Sequence, residues 1–250
     1  MKTPKQPTGF IAYEGPSLLD GQPIVAIVLT SSSNRKTGNM VQTYILRADV
    51  KPTEALRTGQ DASICGDCKH RPAMGGACYV VVARGPTVVG KTYTAGRYPV
   101  AADREALVAL GRGRMVRLGT YGDPAAVPAY VWQALVSEAQ GRTGYTHQWA
   151  ALQDTQQGAD LQRLVMASVD SPAEFAQAQG MGWRTFRVRT ADQPILPREF
   201  VCPASDEAGK RTTCAQCGAC DGAQRGAHKA SPVIVVHGSK ARRFIPIRPA

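Results

Sequence analysis

The sequence predicts an α/β protein, a (β/α) barrel or partial barrel with a cysteine-rich insertion early in the chain and a cysteine cluster near its end. Strand-like and helix-like segments alternate from residue 115 to residue 189, which is the pattern of parallel strands joined by crossover helices. Each strand-like segment there runs into polar or glycine-rich residues, as at Thr120-Tyr121-Gly122-Asp123-Pro124 and Ser168-Val169-Asp170-Ser171. The length, 250 residues, buries the core of one such domain and fits two complete ones poorly. The chain, 1–250, is therefore read as one domain carrying a cysteine loop at 63–79 and a cysteine-rich module at 200–228.

In order along the chain, Ile24 to Leu29 is a short apolar, β-prone run and Met40 to Leu46 reads as a second strand, the two forming a hairpin or the opening of a barrel. From Ser63 to Cys78, Gly66, Pro72, Gly75 and Gly76 exclude regular structure and permit a tight backbone. Val80 to Val82 is strand-like, and Asp103 to Leu110 is helical with Asp103 as N-cap. Strands are then expected at Met115–Leu118, Gly144–Trp149, Leu164–Val169 and Arg184–Val188, with helices at Pro128–Glu138 and Pro172–Gln179. Phe200 to Ser205 continues the pattern with Cys202 at a strand end, and Val233 to Val236 is a last strand. In parallel sheets, sites are built at the carboxyl ends of the strands.

The formal net charge is +11, and arginines cluster at Arg112, Arg114 and Arg117, at Arg184, Arg187 and Arg189, and with Lys240 at Arg242 and Arg243. Such stretches are expected to meet phosphate, with a solvated cationic surface as the plain alternative. No apolar run approaches the roughly 20 residues of a membrane span, and the opening Met1 to Pro7 is polar and proline-rich, so no membrane partner is expected. The odd number of cysteines, seven, speaks against a disulfide scaffold and for free thiols in a reducing, cytoplasmic setting.

Those cysteines divide into Cys65, Cys68 and Cys78 and then Cys202, Cys214, Cys217 and Cys220. Four thiolates, three of them in a C-x2-C-x2-C run, satisfy a tetrahedral zinc or a cubane iron–sulfur cluster. Three thiolates leave one position open, the mark of a reactive rather than a structural metal. His70 would close the first set as Cys3His zinc, and His228 is a substitute ligand for the second. Asp123 and Asp170 end two strands and are placed to act as nucleophile and general base or to hold a cofactor, although each also precedes a helix start that it can cap. Tyr145, His147 and Gln148, with Trp149 beside them and Trp183 and Arg184 further on, are residue types that stack on bases and read their edges. Strand alternation sends some of them to the far face.

The order of a three-cysteine loop after an early strand, Gly122-Asp123-Pro124, the Tyr145-Thr146-His147 turn, Ser168-Val169-Asp170 and a late four-cysteine set resembles the radical S-adenosylmethionine enzymes. The resemblance implies a [4Fe-4S] cluster on Cys65, Cys68 and Cys78, S-adenosylmethionine held near Gly122, Asp123 and Ser168, and an auxiliary cluster on the later cysteines. The first spacing, C-x2-C-x9-C, departs from the C-x3-C-x2-C of that superfamily. The segments 65–79, 115–149 and 202–220 are also similar to uncharacterised bacteriophage proteins, which implies a phage setting in the host cytoplasm and a nucleic-acid modification task. The substrate is then expected to be nucleic acid, DNA in preference to RNA, or a nucleotide. A second resemblance is to the tRNA-guanine transglycosylases, in which Asp170 would attack the sugar, Asp123 would assist, Gln148 would meet the base edge and the late cysteines would hold zinc. A non-catalytic nucleic-acid binder stapled by zinc at both cysteine sets is the third reading.

Overall fold

The computed structural model describes residues 7–32, 34–224 and 226–244. The first six residues of the polar opening and the end of the basic tail lie outside them. Nine strands form one sheet: β1 (Gly9–Pro16), β2 (Pro23–Leu29), β3 (Val41–Arg47), β4 (Met115–Tyr121), β5 (Gly141–Thr146), β6 (Met166–Val169), β7 (Thr185–Arg189), β8 (Glu199–Val201) and β9 (Ser231–Val235). Their spatial order is β1-β2-β3-β4-β5-β6-β7-β9-β8. The first three strands pair antiparallel, and every pairing from β3 onward is parallel.

The helices are α1 (Pro52–Thr58), α2 (Ala62–Cys65), α3 (Gly85–Thr94), α4 (Arg104–Gly111), α5 (Ala129–Val136), α6 (Gln156–Gln162), α7 (Pro172–Gly180) and α8 (Cys214–Cys217). α5, α6 and α7 are the crossovers between successive parallel strands, as the alternation predicts. Their starts follow local chemistry. Asp103, Thr155 and Ser171 each accept a backbone N–H of the first turn of α4, α6 and α7, satisfying a donor that the helix cannot pair internally. Ile24, Val25, Ala26, Ile27 and Val28 are all fully buried, which explains why β2 reads as an unbroken apolar run rather than an alternating one. Trp132 of α5 is buried with its indole N–H donated to Pro124 O at 2.9 Å. Each fully buried Ile or Leu in this core stabilises the fold by about 1.5–3 kcal/mol.

Four expectations need correction. Val80 to Val82 form no strand; the Val82 carbonyl instead accepts the N–H and hydroxyl of Thr87 at 3.1 and 2.7 Å and ties down the start of α3. β5 ends at Thr146, so His147, Gln148 and Trp149 belong to the turn beyond it. Within the cysteine loop, α2 and a 3-10 turn at Pro72–Met74 are regular, because Asp61 and Pro72 start each turn and a glycine closes it. The arginines of the second basic stretch do not face solvent. Arg184 pairs with Asp221 at 2.5 Å, Arg187 with Glu199 at 2.6 Å, and Arg189 with Glu207, and all three are buried. Among the described residues no helix is long and apolar enough to cross a membrane.

Candidate metal centres around one cavity

Both cysteine segments leave the sheet at carboxyl ends of parallel strands, the first after β3 and the second after β8. β3 and β8 lie at opposite ends of the parallel run, yet all seven cysteines line a single cavity of about 530 Å³. Same-face residues of several strands line it too: Arg117 and Gly119 of β4, Thr143 and Tyr145 of β5, Phe186 and Val188 of β7, and Pro232 and Ile234 of β9. The two ends of the run are also joined by hydrogen bonds, from Cys214 N to Lys36 O at 3.0 Å and from Ala215 N to Thr37 O at 3.0 Å. The late module is thus fastened to the loop between β2 and β3.

The first loop is built around Arg71, which is 8% exposed. Its guanidinium donates to Asp61 Oδ1 at 2.7 and 3.1 Å and to the carbonyls of Gly66 and Gly59 at 2.9 and 2.6 Å. This clamps the turn that carries Cys65 and Cys68. Cys78 returns to the loop through its N–H to His70 O at 2.9 Å. Gly76 makes that return possible, since a Cβ there would lie 2.3 Å from Lys69 O. The loop is anchored to β6 by Asp170, whose Oδ2 stands 2.7 Å from His70 Nε2 and 2.8 Å from Lys69 Nζ. Lys69 also reaches Glu174 at 2.8 Å.

The second set is shaped by a local motif. Thr213 and Gln216 form a capping box on α8, which puts Cys214 and Cys217 one turn apart, and Gly218 in the left-handed region turns the chain toward Cys220. Cys220 O accepts Gly144 N at 3.2 Å, and Cys202 N donates to Val233 O at 2.8 Å.

Burial dominates the electrostatics of these thiols. Burial, and then Cys68 and Cys78 beside it, push the Cys65 thiol well up; burial takes Cys68 to about 12. Burial raises Cys78, Cys202 and Cys220 as well. Against this, nearby backbone N–H groups pull three of them back down, His70 for Cys68, Val80 for Cys78 and Ala204 for Cys202. Donors aimed at sulfur favour the thiolate, and a buried thiolate needs a cation. Among the described residues, no three His, Cys, Asp or Glu side chains already stand in an arrangement that would hold a metal ion. What the wall of the cavity does bring together is two groups of thiols, the residue type that binds zinc and iron–sulfur clusters.

The remaining expected site residues are placed as follows. Asp123 lines the cavity, but its Oδ1 accepts Ala125 N at 3.0 Å and its Oδ2 accepts His147 N at 2.8 Å. Burial raises its carboxyl, against the pull of His147 and these amides. Gly122 lines the cavity at φ +83°, where a Cβ would lie 2.7 Å from that of Ile45, so its form is dictated by packing on β3. Ser168, Tyr145, His147 and His70 line the cavity as well. Asp170 is fully buried beneath the first loop. Gln148 is buried and donates to Cys65 O at 3.2 Å, steadying that loop. Trp149 and Trp183 pack in the hydrophobic core, and Arg184 is committed to Asp221. His228 is exposed and is not among the residues lining the cavity.

Sequence reasoning missed Asp61 and Arg71 as the frame of the loop, and Tyr121, Thr143 and Arg117 as cavity residues. Tyr121 Oη, Thr143 Oγ1 and His147 Nε2 are buried atoms on the wall without a hydrogen-bond partner. Arg117 left a signal, a charge inside the apolar strand Met115-Val116-Arg117-Leu118, and Tyr121 stood in the strand-end run Thr120-Tyr121-Gly122-Asp123-Pro124. No family model, curated protein or solved structure matches the chain.

Proposed function

We propose that this protein is an iron–sulfur enzyme of the radical S-adenosylmethionine kind, acting on a nucleotide-like substrate or on nucleic acid. Cys65, Cys68 and Cys78 would hold an open [4Fe-4S] cluster, and Cys202, Cys214, Cys217 and Cys220 a closed one. The observation that carries the reading is the meeting of a three-thiol set and a four-thiol set on one cavity of about 530 Å³. Three ligands leave a coordination position free, and a free position has a use only where a second molecule can come alongside. The volume lies within the range of about 300–1,000 Å³ of small-ligand sites. An open cluster, when bound, supplies single electrons to the sulfonium of S-adenosylmethionine. The chain's own part is to exclude water, to hold the ligand's polar groups and to position the loop. Tyr121 Oη and His147 Nε2, buried and unpartnered at the wall, are the groups available to a polar ligand. Asp170, through Lys69 and His70, fixes the loop between Cys68 and Cys78.

The sheet is read as a partial barrel curled around this cavity. The hydrogen bonds from the late module to Lys36 and Thr37 support that reading, since they span the gap that a closed barrel would fill with strand pairing. A transglycosylase would need Asp170 free to attack a sugar. Asp170 is fully buried, its Oδ2 is held by Lys69 and His70, and it is not among the residues that line the cavity, so the geometry does not favour that reading.

The test is anaerobic reconstitution with iron and sulfide, reduction, and addition of S-adenosylmethionine. The expected results are a changed paramagnetic resonance spectrum and formation of 5′-deoxyadenosine, both lost in Cys78→Ala. An unchanged spectrum with no 5′-deoxyadenosine from an iron-loaded sample would refute the proposal.

A further inference from the structure

Arg117 is 7% exposed and lines the cavity, and no carboxylate pairs with it among the described residues. Its hydrogen-bond and ring contacts are with phenols: Nη2 donates to Tyr79 Oη at 3.1 Å, and the guanidinium lies over the Tyr145 ring, 5.2 Å from its centroid, with the thiols of Cys214 and Cys220 near enough to feel its charge. A buried cation without a counter-charge is costly. Of the other buried arginines, Arg71, Arg184 and Arg187 avoid that cost with a carboxylate within 2.7 Å, and Arg142 is bonded to the carbonyls of Arg163 and Leu164. Arg117 faces open space instead.

A second observation points the same way. Thr143 stands directly beside Arg117 in the parallel register of β4 and β5. It is 1% exposed, and its hydroxyl has no partner although it lines the same cavity. Tyr79, half exposed at the mouth, accepts from Arg117 and so keeps its own phenol proton to donate. Its ring stacks on His237, with centroids 5.5 Å apart. A planar guanidinium flanked by two hydroxyl donors matches the oxygens of a phosphate.

We infer that Arg117, Thr143 and Tyr79 form a phosphate-binding subsite and that the substrate in the cavity is a phosphorylated nucleoside, held with its phosphate between the two cysteine sets. This deepens the nucleotide reading above and rests on it for the nucleoside part. The phosphate part needs no metal.

The experiment is calorimetric titration of the full chain with the four ribonucleoside 5′-monophosphates and the four matching nucleosides at fixed ionic strength. Iron and sulfide are measured on the same samples. At least one monophosphate is expected to bind ten-fold or more tighter than its nucleoside. Arg117→Gln should erase that ratio with metal content unchanged, and Thr143→Val and Tyr79→Phe should each reduce it several-fold. Monophosphates that bind no better than nucleosides overturn the inference, as does a ratio that survives in Arg117→Gln. Loss of iron in Arg117→Gln also overturns it, because the cation would then be serving the thiolates. A phosphate preference in a preparation that takes up no iron leaves the subsite standing and removes only the iron–sulfur reading.

Discussion

The two cysteine segments reach the same cavity by different means. The early loop is held by charged side chains: its own Arg71 on Asp61 and two carbonyls, and Asp170, brought from the end of β6, on Lys69 and His70. The late module is held by backbone hydrogen bonds to Lys36, Thr37, Gly144 and Val233, by its own capping box, and by the pairs of Asp221 with Arg184 and of Glu207 with Arg189. A loop built on buried charges stands or falls with single side chains. The late module adds backbone pairing at several points to its two ion pairs, so its support is spread more widely.

That contrast can be broken most severely at Arg71. Arg71→Met strands the buried carboxylate of Asp61, and removing one partner of such a pair costs about 3–5 kcal/mol. Denaturant unfolding should record that loss, and metal bound by the first set should vanish while that of the second set stays. Asp170→Asn is expected to cost about 2 kcal/mol by removing charged hydrogen bonds to the loop. Its pH dependence has a fixed sign. Burial alone would raise Asp170, but the hydrogen bond from His70 and the charges of His70 and Lys69 bring it below the ordinary carboxylate value. The stability it confers is therefore present above its unfolded pKa and lost as pH falls through the folded one. The gap between wild type and Asp170→Asn should be full at neutral pH and close in acid below about pH 4. Gly76→Ala puts a methyl against Lys69 O and should cost about 1–3 kcal/mol by overpacking, with Cys78 the thiol most displaced in an alkylation assay. Thr213→Ala, in the late module, should cost only about 1 kcal/mol, the usual worth of an N-cap, and leave both metal contents unchanged.

The same contrast explains what the sequence made legible. The C-x2-C-x2-C run, the glycine after Cys217 and the strand ending at Val201 are local, so the late module could be outlined from its residues. The alternation of strands and helices was legible for the same reason, since periodicity and a cap such as Asp103 are neighbours of what they organise, although the cap expected of Asp170 falls to Ser171. The early loop was not. Asp61 meets Arg71 through a buried contact, Asp170 meets His70 across 100 positions, and nothing in either neighbourhood marks the pairing. Arg184, Arg187 and Arg189 misled for a related reason: a cluster of arginines reads as a cationic face until Asp221, Glu199 and Glu207 are seen to neutralise it. Two strand assignments failed where other bonds claimed the backbone, at Val82 for α3 and at His147 for Asp123.

Metal content separates the possibilities most directly. Anaerobically reconstituted protein should carry about eight irons and eight sulfides per chain, the content of two [4Fe-4S] clusters. The triple variant Cys65→Ala, Cys68→Ala, Cys78→Ala and the double variant Cys214→Ala, Cys217→Ala should each retain about half. Zinc in place of iron, or a folded chain whose seven thiols remain free of metal, would contradict the proposal that the cavity is walled by two iron–sulfur centres.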